Sequence, residues 1–225
     1  MPLYLWLDLG SILIPFAFSF HPRLRFNKEW RYVLPGIFAS LLLYIIWDVI
    51  FTQQGVWGFD PEHLIGLDII GLPLEEWLFF ICIPYACLFT HHCIGVLRPS
   101  WKLPSPALRG LVYFLVFLWG FLVISYPDRL YSLVNFAWAI PLTLIAWKLE
   151  PEMLQRFIIS YLLILLPFLL VNGVLTGSGL AEPIVWYNDA ENLGIRIGTI
   201  PIEDFTYAFT MLLFPLLISR RIKGA

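Results

Sequence analysis

Charge is scarce in this sequence. Only 13% of its 225 residues are Asp, Glu, Lys or Arg, against about 25% in an ordinary soluble domain. With 60% apolar residues and a mean hydropathy of +0.80, that shortage excludes both a disordered chain and a water-soluble globule. The few charges nearly cancel at −2, so no basic surface exists for nucleic acid. Cysteine is scarce too. Cys82, Cys87 and Cys93 share one apolar stretch, which argues against a disulfide framework. With His91 and His92 they do not make a metal site: adjacent histidines at a helix end point apart, and no second Cys/His cluster completes a tetrahedral set. No G-x-G-x-x-G follows a strand, so the dinucleotide fingerprint is missing and no cofactor is expected. The four lysines, Lys28, Lys102, Lys148 and Lys223, lie in loops or at ends, which leaves no mid-helix amine for a retinal Schiff base.

Long apolar runs are what the sequence does have. A helical span needs about 20 predominantly apolar residues. Seven stretches qualify: Leu3–Phe20, Tyr32–Phe51, Glu75–Gly95, Leu108–Ser125, Leu130–Trp147, Phe157–Val174 and Ile202–Ser219. The expected fold is all-α, a polytopic membrane protein with seven transmembrane helices, because helices satisfy their own backbone in lipid. No Lys or Arg precedes the first stretch, unlike a secretory signal, so it reads as a retained helix. Of the 14 basic residues all but Arg129 and Arg196 fall on one side of this topology. The positive-inside rule then puts the N-terminus outside and the C-terminus in the cytoplasm, in what reads as the cell inner membrane.

The two long outer loops match. Asp48, Thr52 and Gly55 correspond to Asn172, Thr176 and Gly179 at identical spacing. Trp57 corresponds to Trp186, and Gly66, Pro73, Glu75 and Glu76 to Gly194, Pro201, Glu203 and Asp204. Pro15 and Pro141 sit at similar places in the first and fifth helices. The chain therefore divides into a first repeat over residues 1–97, a linker with the fourth helix over 98–127, and a second repeat over 128–225. An odd connector makes the repeats parallel, so both acid pairs reach the same outer side.

Proline opens helices and acids favour their first turn, yet two copies of Pro-x-Glu-Glu/Asp, each with Asp48 or Asn172 at the far end of its loop, exceed what capping needs. Ionisable groups at membrane depth point to function. Around them lie Trp47, Trp57, Phe59, Trp77, Phe79, Trp186 and Tyr207, read with Asn172 as the substrate-binding set. Acids among aromatic faces suit carbocation chemistry: a buried carboxylic acid protonates an alkene, and ring quadrupoles stabilise the cation. A catalytic acid must keep its proton, which a helix N-terminus opposes and which desolvation and a second carboxylate favour. Glu75 is the leading general acid on this reading, with Glu76 and Asp48 tuning or relaying its proton and Glu203 and Asp204 as counterparts.

The run Asp48…Phe51-Thr52…Gly55-Val56-Trp57-Gly58-Phe59, then Pro73-Leu74-Glu75-Glu76, and the weaker second copy ending Pro201-Ile202-Glu203-Asp204, resembles the membrane-embedded lycopene cyclase domain family, in tandem-fused form. The resemblance covers essentially the whole chain. It implies a lycopene β-cyclase, an isomerase of carotenoid biosynthesis that closes linear ψ-ends into β-ionone rings without redox change. The implied partners are lycopene or a related linear carotenoid and membrane lipid, and a homo-oligomer is left open. Asn172 in place of Asp48 implies unequal copies around one shared chamber, the first protonating and the second shaping the cavity or taking the final proton. The rival reading, a proton-coupled transporter, expects acids reached from both faces, and these acids are one-sided.

Overall fold

The computed structural model describes residues 2–224. Its α-helices are α1 (Leu3–Phe18), α2 (Trp30–Gln53), α3 (Leu74–Leu97), α4 (Ser105–Ser125), α5 (Leu130–Leu149), α6 (Pro151–Leu175) and α7 (Ile202–Gly224). Six of them are long and apolar enough to cross a membrane; α1, at 16 residues, is apolar but shorter. It stops before Phe20 because Ser19 closes the last turn onto Phe16 and the chain then turns.

The bundle is built around α2 and α7, its most closely packed pair, flanked by α1 on α3 and by α4 on α5. The approach of α2 to α7 depends on Gly36. A Cβ built there would lie 2.4 Å from the Pro215 carbonyl oxygen, so only glycine lets the backbones come this close. Prolines interrupt α1, α2, α3, α5, α6 and α7. Neighbouring helices and hydroxyls re-satisfy such breaks.

Short strands organise the two long loops. β1 (Trp57–Phe59) precedes the hairpin β2 (Asp68–Ile69) and β3 (Leu72–Pro73), which leads straight into α3. β4 (Val185–Tyr187) precedes the hairpin β5 (Arg196–Ile197) and β6 (Ile200–Pro201), which leads into α7. The two loops then join each other: β1 pairs antiparallel with β4, Trp57 opposite Tyr187 and Phe59 opposite Val185.

Candidate active site

Each acid pair splits into two roles, because adjacent residues on a helix point about 100° apart. Glu75 Oε1 accepts the Ile65 backbone N–H at 2.6 Å, and Glu203 Oε1 accepts that of Leu193 at 2.7 Å, both ten residues upstream. Ser132 Oγ also donates to Glu203 Oε1, at 2.5 Å. The first acid of each pair thus pins its own loop against its helix, in the manner of a capping box. Glu75, foremost on sequence, does not reach the cavity described next. Glu76 and Asp204 do.

That cavity measures about 410 Å³ and is bounded by α1, α3, α6 and α7, within the ordinary range for small-molecule sites. The β1–β4 ribbon contributes Trp57, Phe59, Val185 and Tyr187 to its wall, and Asn172, Phe79 and Tyr207 line it too. From Glu76 the lining follows α3 as far as Thr90, about 21 Å at 1.5 Å per residue. Below the acids the walls are mostly apolar, with Ile83, Ile164, Phe168 and Leu212 among them. α1 and α6 each rest on α3 but scarcely touch each other, so the cavity lies along the seam between them.

The two walls are built alike and wired differently. On the first, Tyr4 Oη donates to Glu76 Oε2 at 2.5 Å, and Trp57 Nε1 donates to Asp48 Oδ1 at 2.5 Å. The Asp48 and Glu76 carboxyls are close neighbours, and Asp48 Oδ2 has no hydrogen-bond partner among the described residues. Two neighbouring buried carboxyls disfavour ionisation of both at once. On the second wall Asp204 receives three donors: Tyr131 Oη at 2.6 Å and Tyr187 Oη at 3.1 Å, with Asn172 Nδ2 at 2.8 Å. Burial, with the Asp204 charge next to it, holds the Tyr187 phenol well above its usual range and keeps it a donor. Three donors suit a carboxylate, which has acceptors only. The first wall pairs two carboxyls; the second surrounds one carboxyl with three donors.

The aromatic candidates divide as well. Trp57, Phe59, Phe79 and Tyr207 face the cavity. Trp47 packs behind it against Tyr44, Phe51 and Tyr207, and Trp77 donates outward to the Ile69 carbonyl at 3.2 Å. Trp186 is the clear correction. It lies half-exposed over Gly58, where a Cβ would meet its ring at 2.3 Å. One step of strand register reverses the face, and Tyr187, not Trp186, points inward. His91 and His92, weighed as ligands, bind Ser160 Oγ (2.6 Å) and the Leu24 carbonyl (2.7 Å).

Sequence reasoning missed Tyr4 and Tyr131, each the second residue of its helix and each bonded to the cavity acid of its own repeat. Their placement 11 residues before Pro15 and 10 before Pro141 was the available signal. It also missed Asp8, which stands four residues after Tyr4 as Asn135 stands four after Tyr131.

Six long apolar helices around an acid-and-aromatic cavity define a membrane-compatible helical bundle with an internal, mostly apolar site. The comparisons narrow the class. The model of the lycopene cyclase family matches residues 1–94 and 128–222, most of the chain, and the protein belongs to that family. It is 24% identical over 182 residues to the bifunctional lycopene cyclase/phytoene synthase of Aspergillus niger, covering 76% of this chain and 28% of that one. It is 27% identical over 127 residues to the enzyme of the same description from Neurospora crassa (51% and 20%). It is 33% identical over 89 residues to the C(50) beta-cyclic carotenoids biosynthesis protein LbtBC of Dietzia sp. (38% and 21%). The chain thus spans less than a third of the length of these relatives. No solved structure matches it.

Proposed function

We propose that the protein is a lycopene β-cyclase, an isomerase that closes the ψ-end groups of lycopene or a related linear carotenoid into β-ionone rings. The observation that carries this reading is a chamber with two neighbouring buried carboxyls on one wall and a triply hydrogen-bonded carboxyl on the other; the first pair is read as sharing a proton and the second group as ionised.

The Glu76–Asp48 pair delivers its proton to C2 of the end group and leaves a tertiary cation at C1. The C5–C6 double bond attacks C1 and moves the positive charge to C5. Trp57, Tyr207 and Phe79 present ring faces or edges around this region, and faces attract cations. Asp204 then removes the proton at C6, which creates the β-ring double bond. One proton enters and one leaves, so the reaction is an isomerisation. Asn172 orients Asp204, while Glu75 and Glu203 hold the loops in place. A chamber about 21 Å long is shorter than a carotenoid spanning a ~30 Å hydrocarbon layer. One end is therefore processed at a time, and a second ring needs release and re-entry.

The same reading treats α1 as a seventh span beside the six long helices, with the N-terminus outside, the acid chamber near the outer face, and the whole protein in the inner membrane. It divides the chain into two parallel repeats joined by α4. The two segments matched by the family model, with 95–127 between them, support that division. Expression in lycopene-accumulating cells tests the function. Red lycopene should give way to yellow-orange cyclised pigment. Unchanged pigment beside well-expressed protein would overturn the proposal and favour the transporter.

A further inference from the structure

Behind the chamber's first wall lies one more acid than the reaction as drawn uses. Asp8 on α1 is 1% exposed, and among the described residues neither carboxyl oxygen has a hydrogen-bond partner. Its neighbours are acids or neutral groups: Glu75, Glu76 and Cys82 on α3 and Tyr4 on its own helix, with Asp48 of α2 beyond Tyr4. Among the described residues no basic side chain is one of them. A buried carboxylate without a cation or donor is far costlier than its protonated form. Asp8 therefore sits in the fold as a carboxylic acid. In the second repeat the same position is Asn135, whose Nδ2 donates to the Glu203 carbonyl at 2.7 Å. The first repeat thus has Asp where the second has Asn at two places, Asp8 against Asn135 and Asp48 against Asn172. Both changes put a carboxyl on the first repeat's side where the second has an amide.

If the ring-closing proton starts on the Glu76–Asp48 pair and ends on Asp204, that pair is one proton short after every ring. Something on the first wall must replace it. Tyr4 already donates to Glu76, and Asp8 lies one turn along α1 on the same face as Tyr4.

We propose that Asp8 is the proton reserve of the first wall, a positioning residue that recharges the Glu76–Asp48 pair through Tyr4 between turnovers. The Tyr4 hydroxyl passes its hydrogen to the Glu76 carboxylate, and the Asp8 carboxyl, brought within reach of that hydroxyl by a change of side-chain rotamer, replaces it, which leaves Asp8 ionised. Asp204 releases its proton to water and an equal one returns to Asp8, so no proton is consumed and nothing is oxidised or reduced. This inference rests on the cyclase reading above.

The test compares wild type, Asp8→Asn and Asp8→Glu in liposomes loaded with lycopene. With enzyme in excess, D8N should close its first ring at the wild-type rate, because the Glu76–Asp48 pair begins charged. With substrate in excess its steady rate should fall by about 10²-fold, the lower end for a proton-transfer group, and more steeply as pH rises and protons become scarcer. D8E, which keeps the carboxyl, should recover the steady rate. An equal loss in both regimes, or an unchanged steady rate and pH profile in D8N, overturns the proposal. Should D8N fail to accumulate, Asp8→Ser takes its place with the same outcomes. Glu76→Gln separates the two ideas: a fully active E76Q sinks the cyclase mechanism itself, whereas a dead E76Q beside a wild-type-like D8N sinks only the reserve.

Discussion

Converting Asn172 to Asp would make the second wall resemble the first, and the consequence can be worked out from one contact. Asn172 Nδ2 donates to Asp204 Oδ2 at 2.8 Å. A hydrogen bond to a charged group contributes about 1.5–3 kcal/mol. Asn172→Asp removes that donor and sets a carboxyl in its place, so the new pair must share a proton or repel. At about 1.4 kcal/mol per tenfold, the loss lowers the share of ionised Asp204 by about 10- to 100-fold. If Asp204 takes the final proton, the cyclisation rate falls by the same factor. Asn172→Ala, which removes the donor but adds no acid, leaves the Tyr131 and Tyr187 hydroxyls in place and loses less. Initial rates of lycopene cyclisation in liposomes, with thermal melting in detergent as a folding control, give the comparison. Wild-type activity in a folded N172D protein would refute the assignment of Asp204 as an anion.

The two adjacent acids of α3 should separate cleanly: Glu76→Gln loses about 10²–10⁴-fold in rate, while Glu75→Gln, which keeps an acceptor for the Ile65 N–H, loses far less, and pigment yields that ranked the other way would reverse their roles. Gly36→Ala drives a Cβ into the Pro215 carbonyl and the Ser219 hydroxyl and should destabilise the bundle by about 1–3 kcal/mol, read as a lower melting temperature; unchanged melting would mean that α2 and α7 are not so close. On the loop, the Arg196 guanidinium at 2.5 Å holds the Asp189 carboxyl below the usual carboxylate range. The stabilisation is present above that range and disappears as acidification passes through the lowered value. Because Asp189 is largely exposed, Asp189→Asn should cost under about 1 kcal/mol at neutral pH and nothing in strong acid, and a loss that persisted in acid would rule out the ion pair as its source.

The bundle was legible in the sequence because a run of apolar residues long enough to cross lipid has few other uses. The starts of α3 and α7 were legible too, from Pro73 and Pro201 followed by acids. Asp48, Glu76 and Asp204 could be nominated, but choosing Glu76 over Glu75 could not be done from the sequence. Two neighbouring glutamates are equivalent until the helix has a phase relative to its neighbours. Trp186 was misplaced for a related reason. Its spacing matches Trp57 as text, while the register of β1 against β4 is set by pairing between distant loops. Tyr4, Tyr131 and Asp8 looked like ordinary members of apolar stretches, since each gains meaning only from an acid that packs against it from another helix.

The ribbon of β1 and β4 also sets an order of events during synthesis. Trp57, Gly58 and Phe59 emerge early, yet their partners at Val185, Trp186 and Tyr187 follow only after α6 has been made. Until then the Gly58 backbone has no indole over it and the roof of the chamber is unbuilt. Contacts so far apart along the chain form late, so no competent pocket exists on a nascent polypeptide. On the cyclase reading proposed above, substrate can be captured only by a finished molecule, and a chain truncated before β4 would have Asp48 and Glu76 but nothing to close over them.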